Sequence, residues 1–183
     1  VLFDFHKHLD GQSEQNLKTK KIGTTKRGIG PAYTDKISRF GLKFHDLKDM
    51  NLVRSKLEYL FVKYDLNTEY DLDEVLSELE KHYALIQEYI VDSVDLIQTA
   101  YKQGKKVIFE GANGALLDID HGTFPYVTSS NSTLGGLATG TGFPVNKMGH
   151  VCGIVKAYTT RVGGGPFTAE LENEVGQQLR DQG

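Results

Sequence analysis

Cysteine is nearly absent. Cys152 stands alone, so the chain can close no disulfide within itself. Its apolar, strand-like neighbourhood marks it as a buried structural thiol rather than a nucleophile. Charge of one sign is also lacking, with 21 Lys and Arg against 24 Asp and Glu, which leaves no cationic surplus for nucleic acid or an anionic membrane. No apolar run is long enough to cross a bilayer, and the N-terminus carries no basic-then-apolar leader. Internal repeats, low-complexity tracts and a GxxxxGK(S/T) phosphate loop are missing too. The serines at 129, 130 and 132 have no evident base nearby in sequence, which argues against Ser/His/Asp hydrolysis. These absences lead to the expectation of a soluble protein of the reducing cytoplasm, with no nucleic-acid or membrane partner.

What is present is sharply segregated. Residues 18–43 hold Lys18, Lys20, Lys21, Lys26, Arg27, Lys36, Arg39 and Lys43 against Asp35 alone, an anion-attracting block. Within it, Gly23–Gly30 reads as a flexible loop leading into a helix that begins near Pro31 and ends at Arg39 and Gly41. Loop into helix start suits a phosphate, while a solvated basic face is the plainer alternative. A helix is expected over 49–64, and the apolar steps from Leu72 through Leu79, Ile86 and Val94 to Tyr101 predict one further helix about 45 Å long. From Asp65 to Asp95 ten acids face one Lys81, so this helical part, about 49–103, should present an acidic wet face.

Glycine then takes over: residues 111–165 hold 12 of the 20, so ligand-facing loops are expected here. Val107–Phe109 and Gly149–Thr160 read as buried strands of a mostly parallel sheet, giving an α/β fold. The strand-like Val107–Phe109 runs straight into Gly111, Asn113 and Gly114, then to Thr128, Ser129, Ser130 and Ser132, uncharged groups suited to a nucleobase or sugar phosphate. Leu134–Gly142 has loop composition with apolar neighbours that argue for packing. Asp118, Asp120 and His121 have ligand-type side chains, but beside a glycine they read better as turn closure than as a metal site. His6 and His8 read as ordinary surface on a helix. Arg161–Pro166, with three glycines, is either an anion or ribose cradle or a simple turn.

Three blocks, GTTKRGIGPAYTDKISRFGLKFHDL from Gly23, FEGANGALLDIDHGTFPYVTSSN from Phe109 and KAYTTRVGGGPFTAEL from Lys156, resemble consecutive blocks of the adenylosuccinate synthetases. The resemblance spans residues 1–183 and implies a central fragment of a homodimeric enzyme that joins IMP to aspartate with GTP and Mg²⁺. It implies that Thr25 and Thr128 meet the IMP phosphate, that Asn113 offers its amide to the purine, and that Val162 lies against the ribose. Arg39 would reach IMP in the neighbouring subunit. The signature Gly28, Ile29, Gly30, Pro31, Tyr33, Lys36 and Arg39 is intact, and Lys36 can assist electrostatically.

The implied reaction has two steps: GTP phosphorylates the purine O6, then the aspartate amine displaces phosphate. The family's Asp base, His acid, phosphate loop and aspartate- and guanine-binding parts match nothing in these residues, so no catalytic residue is assigned. The principal GTP and Mg²⁺ positions are expected outside the chain. Asn113 stands where the family usually carries Gln, which shortens the amide's reach by about 1.5 Å, one C–C bond. Ala115 replaces a frequent Thr. A non-catalytic nucleotide-binding or dimerisation module is the alternative, and a purely helical interaction protein a more distant one.

Overall fold

The computed structural model describes residues 1–18 and 21–182; Lys20 of the basic block and the terminal Gly183 lie outside the described residues. Among the described residues seven α-helices follow in order: α1 Asp4–Asn16, α2 Ile29–Ser38, α3 Met50–Tyr64, α4 Leu72–Ile86, α5 Ser93–Lys102, α6 Leu134–Thr141 and α7 Glu174–Gln182. The central helix is α3. Its Val53, Leu57, Leu60 and Phe61, spaced by four, three and one, form a single apolar stripe that is fully buried. Phe5 of α1, Leu76 and Leu79 of α4, and Leu42, Leu47 and Leu66 of the connections complete that core. Full burial of each such side chain favours the fold by about 1.5–3 kcal/mol.

Helix starts follow side-chain chemistry. Asp49, Asp71 and Asp92 each accept the two free backbone N–H groups that follow them, at 2.8–3.2 Å, and so cap α3, α4 and α5. The Asp92 cap corrects the expected single long helix: α4 ends in a tight turn at Gln87–Tyr89, the chain is extended at Ile90, and α5 begins anew at Ser93. Apolar residues keep their spacing of three and four across this break, so periodicity alone reads through it. The start of α2 and its end at Arg39 match expectation, with Arg39 in the left-handed conformation. Leu134–Thr141, read as a packed loop, is helical.

The expected parallel sheet is not found, because the described residues contain no strand. Val107–Phe109 and Gly149–Thr160 are largely exposed, with Ile108 93 % and Ile154 95 % accessible. An apolar β-branched run is only a preference, and a strand also needs a neighbour that pairs with its N–H and C=O groups. Cys152, in the second of these segments, is accordingly exposed rather than buried. Phe109 is the exception: with Tyr101 of α5 it packs on the buried Phe143, both rings 5.2 Å from it.

Candidate functional site

The basic block is built on one polar stripe of α1. His6, Asp10 and Glu14 recur every four residues and therefore share a face, and all three are buried. Glu14 accepts from two successive amides, Ile22 N–H at 2.9 Å and Gly23 N–H at 3.0 Å, one on each carboxylate oxygen. Asp10 accepts from Gly28 N–H at 3.0 Å. His6 Nδ1 accepts from Phe3 N–H at 3.1 Å, so Nε2 carries the proton and donates to Asp35 Oδ2 at 3.0 Å. The expectation that His6 is ordinary surface is thus corrected: it is 2 % exposed. His8 stands half-exposed, 3.2 Å from Glu69.

Asp35 of α2 is the hub. Lys63 Nζ and Tyr64 OH each donate to its Oδ1 at 2.7 Å, and Lys63 also donates to the Tyr64 oxygen at 2.8 Å. Burial alone would raise the Asp35 carboxyl, but hydrogen bonds from Lys63, Tyr64 and His6 outweigh it and hold it below the usual carboxylate range. Burial lowers the His6 imidazole, only partly offset by Asp35, which keeps it neutral near pH 7. One anion, one cation and two neutral donors therefore lock α2 to α1 and α3. Gly28, at φ 77°, lets α2 begin directly against α1, since a Cβ there would stand 2.8 Å from the His6 carbonyl carbon.

The loop so fixed meets the third block. Gly164 N–H donates to Ile22 O at 3.0 Å, and a Cβ on Gly23 would lie 2.8 Å from Gly163 Cα, so the two loops touch backbone to backbone. Arg161 fastens the third block to the second: its guanidinium donates to Tyr126 O at 2.7 Å and Thr123 Oγ1 at 3.0 Å, and its Nε to Gly164 O at 2.9 Å. Within the second block Asp118 is fully buried. Its carboxylate accepts from the amides of Asp120 at 2.9 Å, His121 at 3.0 Å and Ser132 at 2.6 Å. Burial would raise its carboxyl, yet these amides and that of Thr133 bring it below the usual range. These bonds close the turn, as expected of Asp118; among the described residues no three His, Cys, Asp or Glu side chains gather as metal ligands.

Thr128 N–H donates to Leu117 O at 2.8 Å and Ile119 N–H to Ser130 O at 3.1 Å, which sets the Thr128–Ser130 segment beside the Asp118 turn. Ser132 Oγ donates to Gly114 O at 3.1 Å, tying in the loop of Asn113. Ser129 Oγ lies 3.7 Å from the Cβ position of Gly30, at the start of α2. The structure thus joins the loops of Thr25, Asn113, Thr128 and Val162 in one contact network. Thr25, Asn113 and Val162 are exposed, Val162 at 81 %, while Thr128 is half-buried. Arg39 is exposed at the far end of α2, and Lys36, one turn earlier, lies 5.4 Å from the Tyr33 ring. Asn113 has φ 69°, a left-handed conformation that Asn tolerates better than most side chains.

Sequence reasoning read Asp118 as a turn closer but missed His6, Asp10, Glu14 and Asp35, the other groups that shape these loops. For α1 a signal existed: three polar residues at spacing four interleave with Phe5 and Leu9, as on a helix that buries polar contacts.

Comparison with known proteins agrees with this geometry. The family model of adenylosuccinate synthetase matches residues 1–183. Adenylosuccinate synthetase 1 of Laccaria bicolor is 48 % identical over 187 residues, covering all of this chain and 44 % of that protein. A chloroplastic adenylosuccinate synthetase 1 of Physcomitrium patens is 44 % identical, with 37 % of its length covered. The solved structure of fully ligated adenylosuccinate synthetase from Plasmodium falciparum superposes with a TM-score of 0.93 at 43 % identity, over all of this chain and 44 % of that one. The chain belongs to the adenylosuccinate synthetase family and spans less than half the length of these relatives.

Proposed function

We propose that these residues carry part of the IMP site of a GTP-dependent ligase that joins IMP to aspartate. The observation that supports this most is the meeting of three blocks far apart in sequence, at Gly23 with Gly163, Gly30 with Ser129, and Arg161 with Tyr126. In this reading Thr25 and Thr128 donate hydroxyl hydrogen bonds to the IMP phosphate, and Arg39 adds a charge-assisted contact from the partner of a homodimer. Asn113 presents its amide to the purine, directly or through water, and Val162 covers the ribose. Helices α3 to α5, about residues 49–103, form a helical subdomain beside the site.

GTP serves as cosubstrate with Mg²⁺ in the complete enzyme. The residues here do not fit either: the Asp118 carboxylate is taken up by backbone amides, and the 183 residues contain no phosphate-loop pattern. The chain's own part is therefore to bind and orient IMP, and bound substrate held in register lowers the barrier of a step performed by other groups. A cytoplasmic location belongs to the same proposal; of membranes the structure says only that no helix among the described residues is long and apolar enough to cross one.

Calorimetric titration of the complete gene product with IMP tests the site. Saturable binding, weakened in Thr128→Val and Thr25→Val while the fold is kept, is the expected result. Unchanged affinity in both variants would remove this face from the IMP site.

A further inference from the structure

α1 carries no residue of the proposed IMP site, yet its buried face holds the backbone of the loop that does. The Glu14 carboxylate spans the amides of Ile22 and Gly23, and the Asp10 carboxylate takes the Gly28 amide. Between these two anchors lie Thr24 to Arg27, including the exposed Thr25. His6, one turn before Asp10, fixes α2 immediately beyond the loop through Asp35. Each anchor is a buried acceptor used by the backbone, so the loop's shape is set from below while its upper side stays open. The same Gly23 turn touches Gly163, so the anchor reaches the third block as well.

We propose that Glu14 and Asp10 are positioning residues for IMP: they clamp the two ends of the Ile22–Gly28 loop in the conformation that presents Thr25 to the phosphate. The proposal rests on the IMP-site reading above. Its chemistry requires two acceptor oxygens on Glu14. Glu14→Gln keeps size and burial but replaces one acceptor by an NH₂ group that opposes an amide N–H, so one end of the loop is released.

The test uses steady-state kinetics on the complete gene product. In Glu14→Gln the KM for IMP should rise about tenfold, the loss expected from one buried hydrogen bond, while the KM values for GTP and aspartate stay within about twofold. Amide exchange of Ile22 and Gly23 should quicken by about the same factor. Leu79→Ala, a core truncation in α4 away from the loop, serves as the control: it should lower Tm and leave the KM for IMP unchanged. A purely structural role would instead reduce the active fraction, lowering kcat with the KM for IMP unmoved, and that outcome overturns the proposal. If Glu14→Gln does not fold, Asp10→Asn gives the same readout at the Gly28 end. Failure of the parent protein to saturate with IMP would sink the site reading itself, whereas a saturating parent with unchanged variants would sink only the clamp.

Discussion

His6 and Asp35 meet at 3.0 Å between α1 and α2, and the Phe3 amide occupies the other ring nitrogen, so the imidazole is a neutral donor to a buried carboxylate. Among the described residues the only formal positive charge bonded to Asp35 is Lys63, on the far side of the same carboxylate. Removing the anion therefore leaves a cation with no counter-charge. Asp35→Asn should destabilise the fold by about 3 kcal/mol, as expected when one partner of a buried pair is lost. Urea unfolding measures it; a change below about 1 kcal/mol would show that the network adds little beyond packing.

Acid should erode stability in two windows. The folded His6 value lies below its ordinary one because of burial, with Lys63 also opposing its charge. The unfolded chain thus binds the proton first, so His6 favours folding fully above its unfolded value, about 6.5, and loses that contribution as pH falls from there towards the folded value. Asp35, held low in the folded state, contributes above its unfolded value of about 3.9 and loses its share as pH falls through the folded one. His6→Gln should flatten the stability profile as pH falls below about 6.5 and leave the lower window in place. An unchanged slope in the upper window would mean that the buried imidazole is not what titrates there.

Much of the helical part was legible because its determinants are local. The α3 stripe repeats every three to four residues, and the start of α2 at the glycine-rich turn is written in adjacent residues. The Asp92 cap was equally local but lay beneath an apolar rhythm that continued across it. The expected strands failed for the opposite reason, since Val107–Phe109 shows its preference in sequence but not whether any chain segment pairs with it. The same limit applies to His6: whether an imidazole is surface or hub depends on Asp35, 29 residues away. The loops of Thr25, Asn113, Thr128 and Val162 were singled out by resemblance, whereas Asp10, Glu14 and Asp35 were not, because a buried acid and a solvated one look alike in a charge count.

Asn113 combines a short amide with a left-handed backbone, and a substitution moves both. Asn113→Gln extends the reach by about 1.5 Å and should preserve or tighten IMP binding. It should also cost up to about 1 kcal/mol of stability, because Gln adopts the left-handed region less readily than Asn. Asn113→Leu should lose about 1–3 kcal/mol of IMP binding from the unpaired purine group. Equal IMP affinity for all three forms, measured by calorimetry, would place Asn113 outside the site.

Arg39 sits at φ 73°, the left-handed position that ends α2, where glycine is the unstrained choice. Arg39→Gly should therefore raise stability by up to about 1 kcal/mol while weakening IMP binding through loss of a charge-assisted phosphate contact. Gain in Tm together with loss of affinity is the signature of a residue kept for a ligand rather than for the fold. If the arginine serves the neighbouring subunit, mixing Arg39→Leu protein with Thr128→Val protein should restore one sound site per mixed dimer, seen as recovered activity that grows with subunit exchange. Exchange without recovery would place Arg39 at the site of its own chain. A fall in Tm for Arg39→Gly would show instead that the side chain contributes more to the end of α2 than its backbone strain costs.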